Sequence, residues 1–276
     1  MKMPQDKYIQ VGQINTRYWA EGEAGSPVVL IHGIGAYVES WLSTFISLAS
    51  EHRVYAMDLL GQGRTDKPLN TSYKIRDFAQ FVKDFMAVLK IERAHVVGWS
   101  LGGAIGTRLA LMFPEAVDKL VLVSSSGLGK KVSPALRICA IPLLGEFLTR
   151  PSLAGSERYL KSLVYDPTVI TREGIEGYYQ MSLLPGTQKA FLKILRTNIN
   201  PLFGQNHGAT TRELGTITSP TLVIWGQQDL TVPISHADIA AKSFPDVRVQ
   251  VIDNCGHMPM FEHMQAFNDL LLDFLK

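Results

Sequence analysis

The chain has 276 residues, 46% of them hydrophobic, enough to bury a sizeable core in one or two domains. Its 27 lysines and arginines stand against 25 aspartates and glutamates, a formal charge of +2. That balance argues against a nucleic-acid partner, which calls for a basic stripe. Two cysteines, Cys139 and Cys255, make no disulfide scaffold and are expected as free thiols.

The first ten residues are polar, with charges at Lys2, Asp6 and Lys7 and no apolar core of a signal peptide. No uncharged apolar run reaches the ~18 residues of a membrane helix. The expectation is a soluble cytoplasmic protein without a membrane partner. Tyr8–Val11 and Ile14–Ala20 then predict a hairpin across Gly12-Gln13. Six runs follow that are apolar on both faces: 27–31, 53–57, 94–98, 119–123, 221–225 and 247–252. They predict central strands of a mostly parallel sheet. Helical spacing alternates with them over 76–90, 101–113, 235–243 and 265–276. The pattern predicts an α/β fold with a doubly wound, mostly parallel eight-stranded sheet and right-handed crossovers.

The alternation breaks between Gly127 and about Gly215, a helical, loop-rich stretch punctuated by prolines at 134, 142, 151, 167, 185 and 201. It is expected as an inserted helical cap at 127–215, over a core domain of 1–126 and 216–276. The cap carries 11 Lys or Arg against 6 Asp or Glu, where the remainder has 16 against 19. That surface is either ordinary solvated polarity or a landing patch for an acidic substrate or partner.

Gly98-Trp99-Ser100-Leu101-Gly102 lies between an apolar strand and a helix, the setting in which G-x-S-x-G carries a nucleophilic serine. The chemistry needs Ser100 on a sharp turn with its hydroxyl standing free. Glycines at 98 and 102 remove side chains that would collide there. The helix behind Ser100 points its positive end at the site.

Serine at its free pKa is a poor nucleophile and needs a base. Of the histidines at 32, 52, 95, 207, 236, 257 and 263, His257 follows the last strand in Asn254-Cys-Gly-His-Met-Pro. Asp229, in the loop after 221–225, follows Ser100 and precedes His257, the order that completes a triad. It would fix the imidazole tautomer and stabilise the imidazolium. The tetrahedral oxyanion needs two backbone N–H donors. Leu101 supplies one, and Ile34 in His32-Gly-Ile-Gly35 the other. His32 is expected to order that loop and Asp58 to brace it.

These pieces together resemble the α/β-hydrolase family over nearly the whole chain. His32-Gly33, Asp58…Gly61-Gln-Gly63-Arg-Thr65, Gly98–Gly103, Asp229 and Gly256-His257 fall in family order. The resemblance implies the fold, the triad Ser100–Asp229–His257, a two-donor oxyanion hole, no cofactor and no metal. Members that open epoxides or displace halide carry a carboxylate at the position of Ser100, so acyl-enzyme chemistry is expected here. The tail 255–263 is similar to that of the meta-cleavage-product hydrolases, which cut C–C bonds of dienoates. Those enzymes usually carry Asn at the position of Trp99 and Trp at the position of Met258. Their substrate-carboxylate arginine has Arg196 and Arg172 as candidates. The pentapeptide is also similar to that of an esterase acting on a methyl ester of a carrier protein.

The expected activity is therefore a serine esterase for carboxylic esters of small to medium apolar acyl groups. Trp99 and Met258, with the cap runs Ile138–Ile141, Leu143-Leu144 and Leu183-Leu184, either line the acyl pocket or simply pack the cap. C–C hydrolysis, carrier-protein ester hydrolysis and a slow-turnover ligand receptor are the alternatives.

Overall fold

Strands β1 (Lys7–Val11) and β2 (Ile14–Glu21) form an antiparallel hairpin in which Val11 faces Ile14. Gly12 turns the chain at φ +60°, a left-handed angle that glycine adopts without strain. The computed structural model describes residues 3–206 and 208–276. β3 (Pro27–Ile31), β4 (Arg53–Met57), β5 (Ala94–Trp99), β6 (Val117–Val123), β7 (Thr221–Gly226) and β8 (Val247–Ile252) complete one sheet. Its order is β1-β2-β4-β3-β5-β6-β7-β8, and β2 alone runs against the others. All eight strands expected from the sequence are present.

Successive side chains of the inner strands serve opposite faces, as the pleat requires. Val29 and Ile31 join Leu120, Leu122, Val223 and Trp225 in one core. There they meet α2 (Ile75–Val88) and α3 (Leu101–Met112) through Phe78, Phe85, Ile105 and Leu109. Val28 and Leu30 join Val97, Val121, Leu222 and Ile224 in the other core. That core is closed by Phe45 and Leu48 of α1 (Leu42–Leu48) and by Phe267 and Leu271 of the C-terminal helix. Each such side chain contributes about 1.5–3 kcal/mol by leaving water. α2, expected over 76–90, ends at Val88, because Lys90 takes a left-handed φ of +59° and leaves the helix.

Between β6 and β7 lie α4 (Pro134–Cys139), α5 (Leu144–Leu148), α6 (Leu153–Ser162), α7 (Arg172–Ser182) and α8 (Thr187–Asn198). A two-residue ladder of Ile199–Asn200 with Gly204–Gln205 and the short α9 (Thr211–Leu214) follow. α9 returns to the sheet layer, where Glu213 pairs with Arg108 of α3 at 3.0 Å. After β7 and β8 come α10 (Ser235–Ser243), α11 (Pro259–Glu262) and α12 (Met264–Leu275). Among the described residues no helix is long and apolar enough to cross a membrane.

Candidate active site

Ser100 sits where β5 becomes α3, at φ +54° and ψ −114°. A non-glycine residue holds such angles only where the surroundings enforce them. Here Ser100 N–H donates to the Val123 carbonyl at 2.9 Å, and Gly103 N–H donates to the Ser100 carbonyl at 3.0 Å. A Cβ on Gly98 would lie 2.3 Å from the Gly102 carbonyl oxygen, the collision across the turn that the sequence implied. The need for glycine at 102 has another origin: a Cβ there would lie 2.0 Å from the Ile31 carbonyl oxygen of β3. The elbow is pressed onto the neighbouring strand.

His257 follows β8 and is buried, with Nδ1 2.7 Å from Asp229 Oδ2. The other carboxylate oxygen of Asp229 accepts from the backbone N–H groups of Thr231 (2.8 Å) and Val232 (2.9 Å). Three hydrogen bonds to one carboxylate fix its plane, and with it the plane of the imidazole. The indole of Trp99 donates to the His257 carbonyl at 2.8 Å, with ring centroids 5.6 Å apart. That contact brings the residue before Ser100 against the histidine loop. Gly256 serves close approach: a Cβ there would lie 2.8 Å from the chain at Leu163–Tyr165. His257 N–H in turn donates to the Leu163 carbonyl at 2.7 Å.

Other histidines are held elsewhere. His95 Nδ1 lies 3.2 Å from Asp118 at the far end of β5. His52 packs beside His95, His236 lies beside Trp225, and His263 contacts the Asn254 carbonyl. His207 lies outside the described residues.

The N–H groups of Leu101 and Ile34 donate to no protein acceptor among the described residues. The loop carrying Ile34 is tied down on every side. His32 Nε2 accepts from Leu59 N–H (3.0 Å), which places the ring proton on Nδ1, 2.7 Å from the Gly33 carbonyl. Burial pushes the His32 pKa down to about 4, so the ring is neutral at neutral pH. Gln62 accepts from Gly35 N–H at 2.5 Å, and Asp58 from Val38 N–H at 2.8 Å.

Three contributors to this region carry no sequence signal of their own. Arg17, buried in β2, pairs with Asp6 (2.6 Å), Glu39 (2.7 Å) and Asp58 (3.3 Å), and so anchors Asp58. Glu262 accepts from Gly256 N–H (2.8 Å) and Tyr165 N–H (2.6 Å), stapling the His257 loop to the chain beyond α6. Tyr159 of α6 donates to the Ile34 carbonyl (3.3 Å) and lies 5.3 Å from the ring of Tyr178 on α7. Burial raises the Tyr159 pKa to about 12, keeping it a donor.

Trp99 and Met258 are buried beside Ser100 and His257, in the apolar core that also holds Val97, Val123 and Met260. Ile138, Ile141, Leu143, Leu144 and Leu183 are exposed, whereas Ala140 of the same stretch is buried with Leu195 and Ile199. Arg196 grips Glu146 through two hydrogen bonds of 2.7 and 2.8 Å, and Arg172 is an exposed partner of Glu176, so neither is free for a substrate carboxylate. Cys139 and Cys255 are free thiols.

Residues 28–270 match the family described as "Alpha/beta hydrolase family". The chain is 34% identical over 260 residues to 2-hydroxy-6-oxononadienedioate/2-hydroxy-6-oxononatrienedioate hydrolase of Comamonas testosteroni, covering 92% of this chain and 88% of that one. It is 32% identical over 256 residues to 2-hydroxy-6-oxo-6-phenylhexa-2,4-dienoate hydrolase of Burkholderia cepacia, covering 91% and 88%. A crystal structure of a meta-cleavage product hydrolase from Pseudomonas fluorescens, a serine-to-alanine mutant complexed with acetates, superposes with a TM-score of 0.87. That likeness covers 97% of this chain and 96% of the other at 29% identity.

Proposed function

This chain belongs to the alpha/beta hydrolase family, and from that premise we propose that it hydrolyses a carbon–carbon bond in a 2-hydroxy-6-oxo-dienoate of the meta-cleavage type, with Ser100 as nucleophile. The observation that carries the reading is the full-length likeness to hydrolases of that substrate class, in sequence and in fold together. The esterase expectation shares every catalytic group with it and differs only in the bond broken.

In the proposed reaction His257 takes the Ser100 proton as the Oγ adds to the ketone carbon. The N–H groups of Leu101 and Ile34 hold the resulting oxyanion. In the diketo tautomer of the substrate, collapse breaks the bond to the neighbouring carbon. The departing electron pair spreads over the conjugated ketone as a dienolate, and the imidazolium returns the proton to it. Water, deprotonated by His257, then cleaves the acyl-enzyme to a carboxylic acid and restores Ser100. Asp229 holds the histidine in the tautomer both steps use.

One observation favours ester hydrolysis as a second reading. Trp99 stands where the C–C hydrolases usually carry Asn, its N–H is spent on His257, and Arg172 and Arg196 are both paired. Loss of dienolate colour from 2-hydroxy-6-oxo-6-phenylhexa-2,4-dienoate, run beside a p-nitrophenyl ester series, separates the two. Ser100-dependent dienoate turnover with the higher kcat/KM supports the proposal. Ester turnover without dienoate turnover overturns it.

A further inference from the structure

Apolar side chains left in water concentrate on α4, α5 and the turn between them. Ile138, Ile141, Leu144 and Leu148 are exposed there, Leu143 is 84% exposed and Phe147 66%. Leu143 also holds φ +67°, an angle a branched side chain adopts only under constraint. The turn thus spends a strained backbone to display a leucine where glycine or asparagine would serve. Arg137 of α4 donates to the carbonyls of Pro201 and Leu202 at 2.8 Å each. This sets Leu202 and Phe203, 76% and 73% exposed, alongside the same strip.

The rim of the strip is basic. Lys130, Lys131 and Arg137 share a cleft with Leu202 and Phe203, and the Arg150 guanidinium lies 5.8 Å from the centre of the Phe147 ring. Between Lys130 and Arg150 the single acidic residue is Glu146, and Arg196 neutralises it at 2.7 Å.

We propose that this strip docks the protein onto an anionic lipid surface. Leu143 and Phe147 enter the boundary between headgroups and acyl chains, while Lys130, Lys131 and Arg150 meet the phosphates. The shape favours lipid over a protein partner: the side chains protrude from a turn, and a fluid apolar phase takes protruding groups without matching pockets. A second copy meeting the same face would bring two basic rims together, which like-charge repulsion opposes. The sequence predicts no membrane partner, and leaves the basic charge of 127–215 as either ordinary solvated polarity or a landing patch for something acidic. The proposal is independent of which bond the active site cleaves, since its readout is binding.

The test is co-sedimentation of the purified chain with vesicles of equal parts phosphatidylglycerol and phosphatidylcholine, beside phosphatidylcholine alone. Binding to the anionic vesicles is expected to be at least about tenfold tighter, and to be weakened by salt. A Leu143→Ser, Phe147→Ser variant should bind more than about tenfold less well. A Lys130→Glu, Lys131→Glu variant should lose affinity for the anionic vesicles only. Both should melt as the wild type does, because they alter exposed positions. No binding, or equal binding by the serine variant, overturns the proposal. So does a wild-type dimer that the serine variant splits without any lipid binding, which would make the strip a contact between copies.

Discussion

The hydroxyl of Tyr159 donates to the carbonyl of Ile34 at 3.3 Å. Tyr159 belongs to α6, between β6 and β7, whereas Ile34 follows β3 and carries an N–H group that donates to no protein acceptor among the described residues. The helical segment above the sheet therefore has a hand on the peptide that would stabilise the transition state. In the proposed reaction Tyr159 would act through Ile34, as a positioning residue.

Tyr159→Phe removes that hydrogen bond together with the one its hydroxyl shares with Tyr178. A hydrogen bond of this kind is worth about 1 kcal/mol, so kcat should fall by about threefold to tenfold. KM should change much less, because the contact bears on the oxyanion rather than on ground-state binding. Steady-state kinetics of the two proteins decide it: an unchanged kcat means that the loop is held well enough by Gln62, Asp58 and His32 alone.

Asp229→Asn keeps the size of the side chain but lets an amide N–H face His257 Nδ1. The imidazole then turns its proton toward Ser100 and cannot accept one. The expected loss in kcat is roughly 10⁴-fold, with KM within about threefold of wild type. A loss of tenfold or less would indicate that another carboxylate serves His257, contrary to the 2.7 Å contact.

Glu262 is a different kind of test, because it touches no reacting atom. Its carboxylate satisfies the N–H groups of Gly256 and Tyr165, and Glu262→Ala would strand both. The cost should be about 1–3 kcal/mol in urea unfolding, with a drop in kcat as the His257 loop loosens. Glu262→Gln keeps one acceptor oxygen for two N–H groups that bond to different carboxylate oxygens, so it should recover only part of both quantities. If the glutamine variant matches the wild type, one acceptor oxygen suffices and the second contact contributes little.

Local pattern announced the eight strands, the elbow at Ser100 and the order of Asp229 and His257, because each rests on periodicity or on a turn within a few residues. The contacts that finish the site join residues far apart in the chain. Nothing in the local pattern marks Arg17, and only the folded sheet shows it gathering Asp6, Glu39 and Asp58. Tyr159 and Ile34 lie 125 residues apart, and no spacing rule links them. Gly102 and Gly256 were singled out as glycines, but the reason for each is a neighbouring chain segment that the sequence could not place. For the apolar residues between β6 and β7, hydrophobicity alone does not say whether a leucine faces the core or the solvent, and Leu143 faces the solvent.

The buried histidines make stability depend on pH. Burial depresses the pKa of His32, His95 and His236 to about 4 in each case, against 6.5 for a free side chain. The unfolded chain therefore binds more protons than the folded one in the window between those values. Stability from these three groups is complete above about pH 6.5 and is lost progressively as the pH falls toward about 4. Near pH 4.5 each should have cost on the order of 2 kcal/mol. Urea midpoints between about pH 7.5 and about pH 5 should accordingly fall, with the steepest change below about pH 6. His236→Leu packs an apolar side chain against Trp225 and removes one of the three groups. It should flatten the slope by about 1.4 kcal/mol per pH unit in that window. An unaltered slope would show that His236 is already protonated in the fold, and would leave His32 and His95 to account for the acid sensitivity.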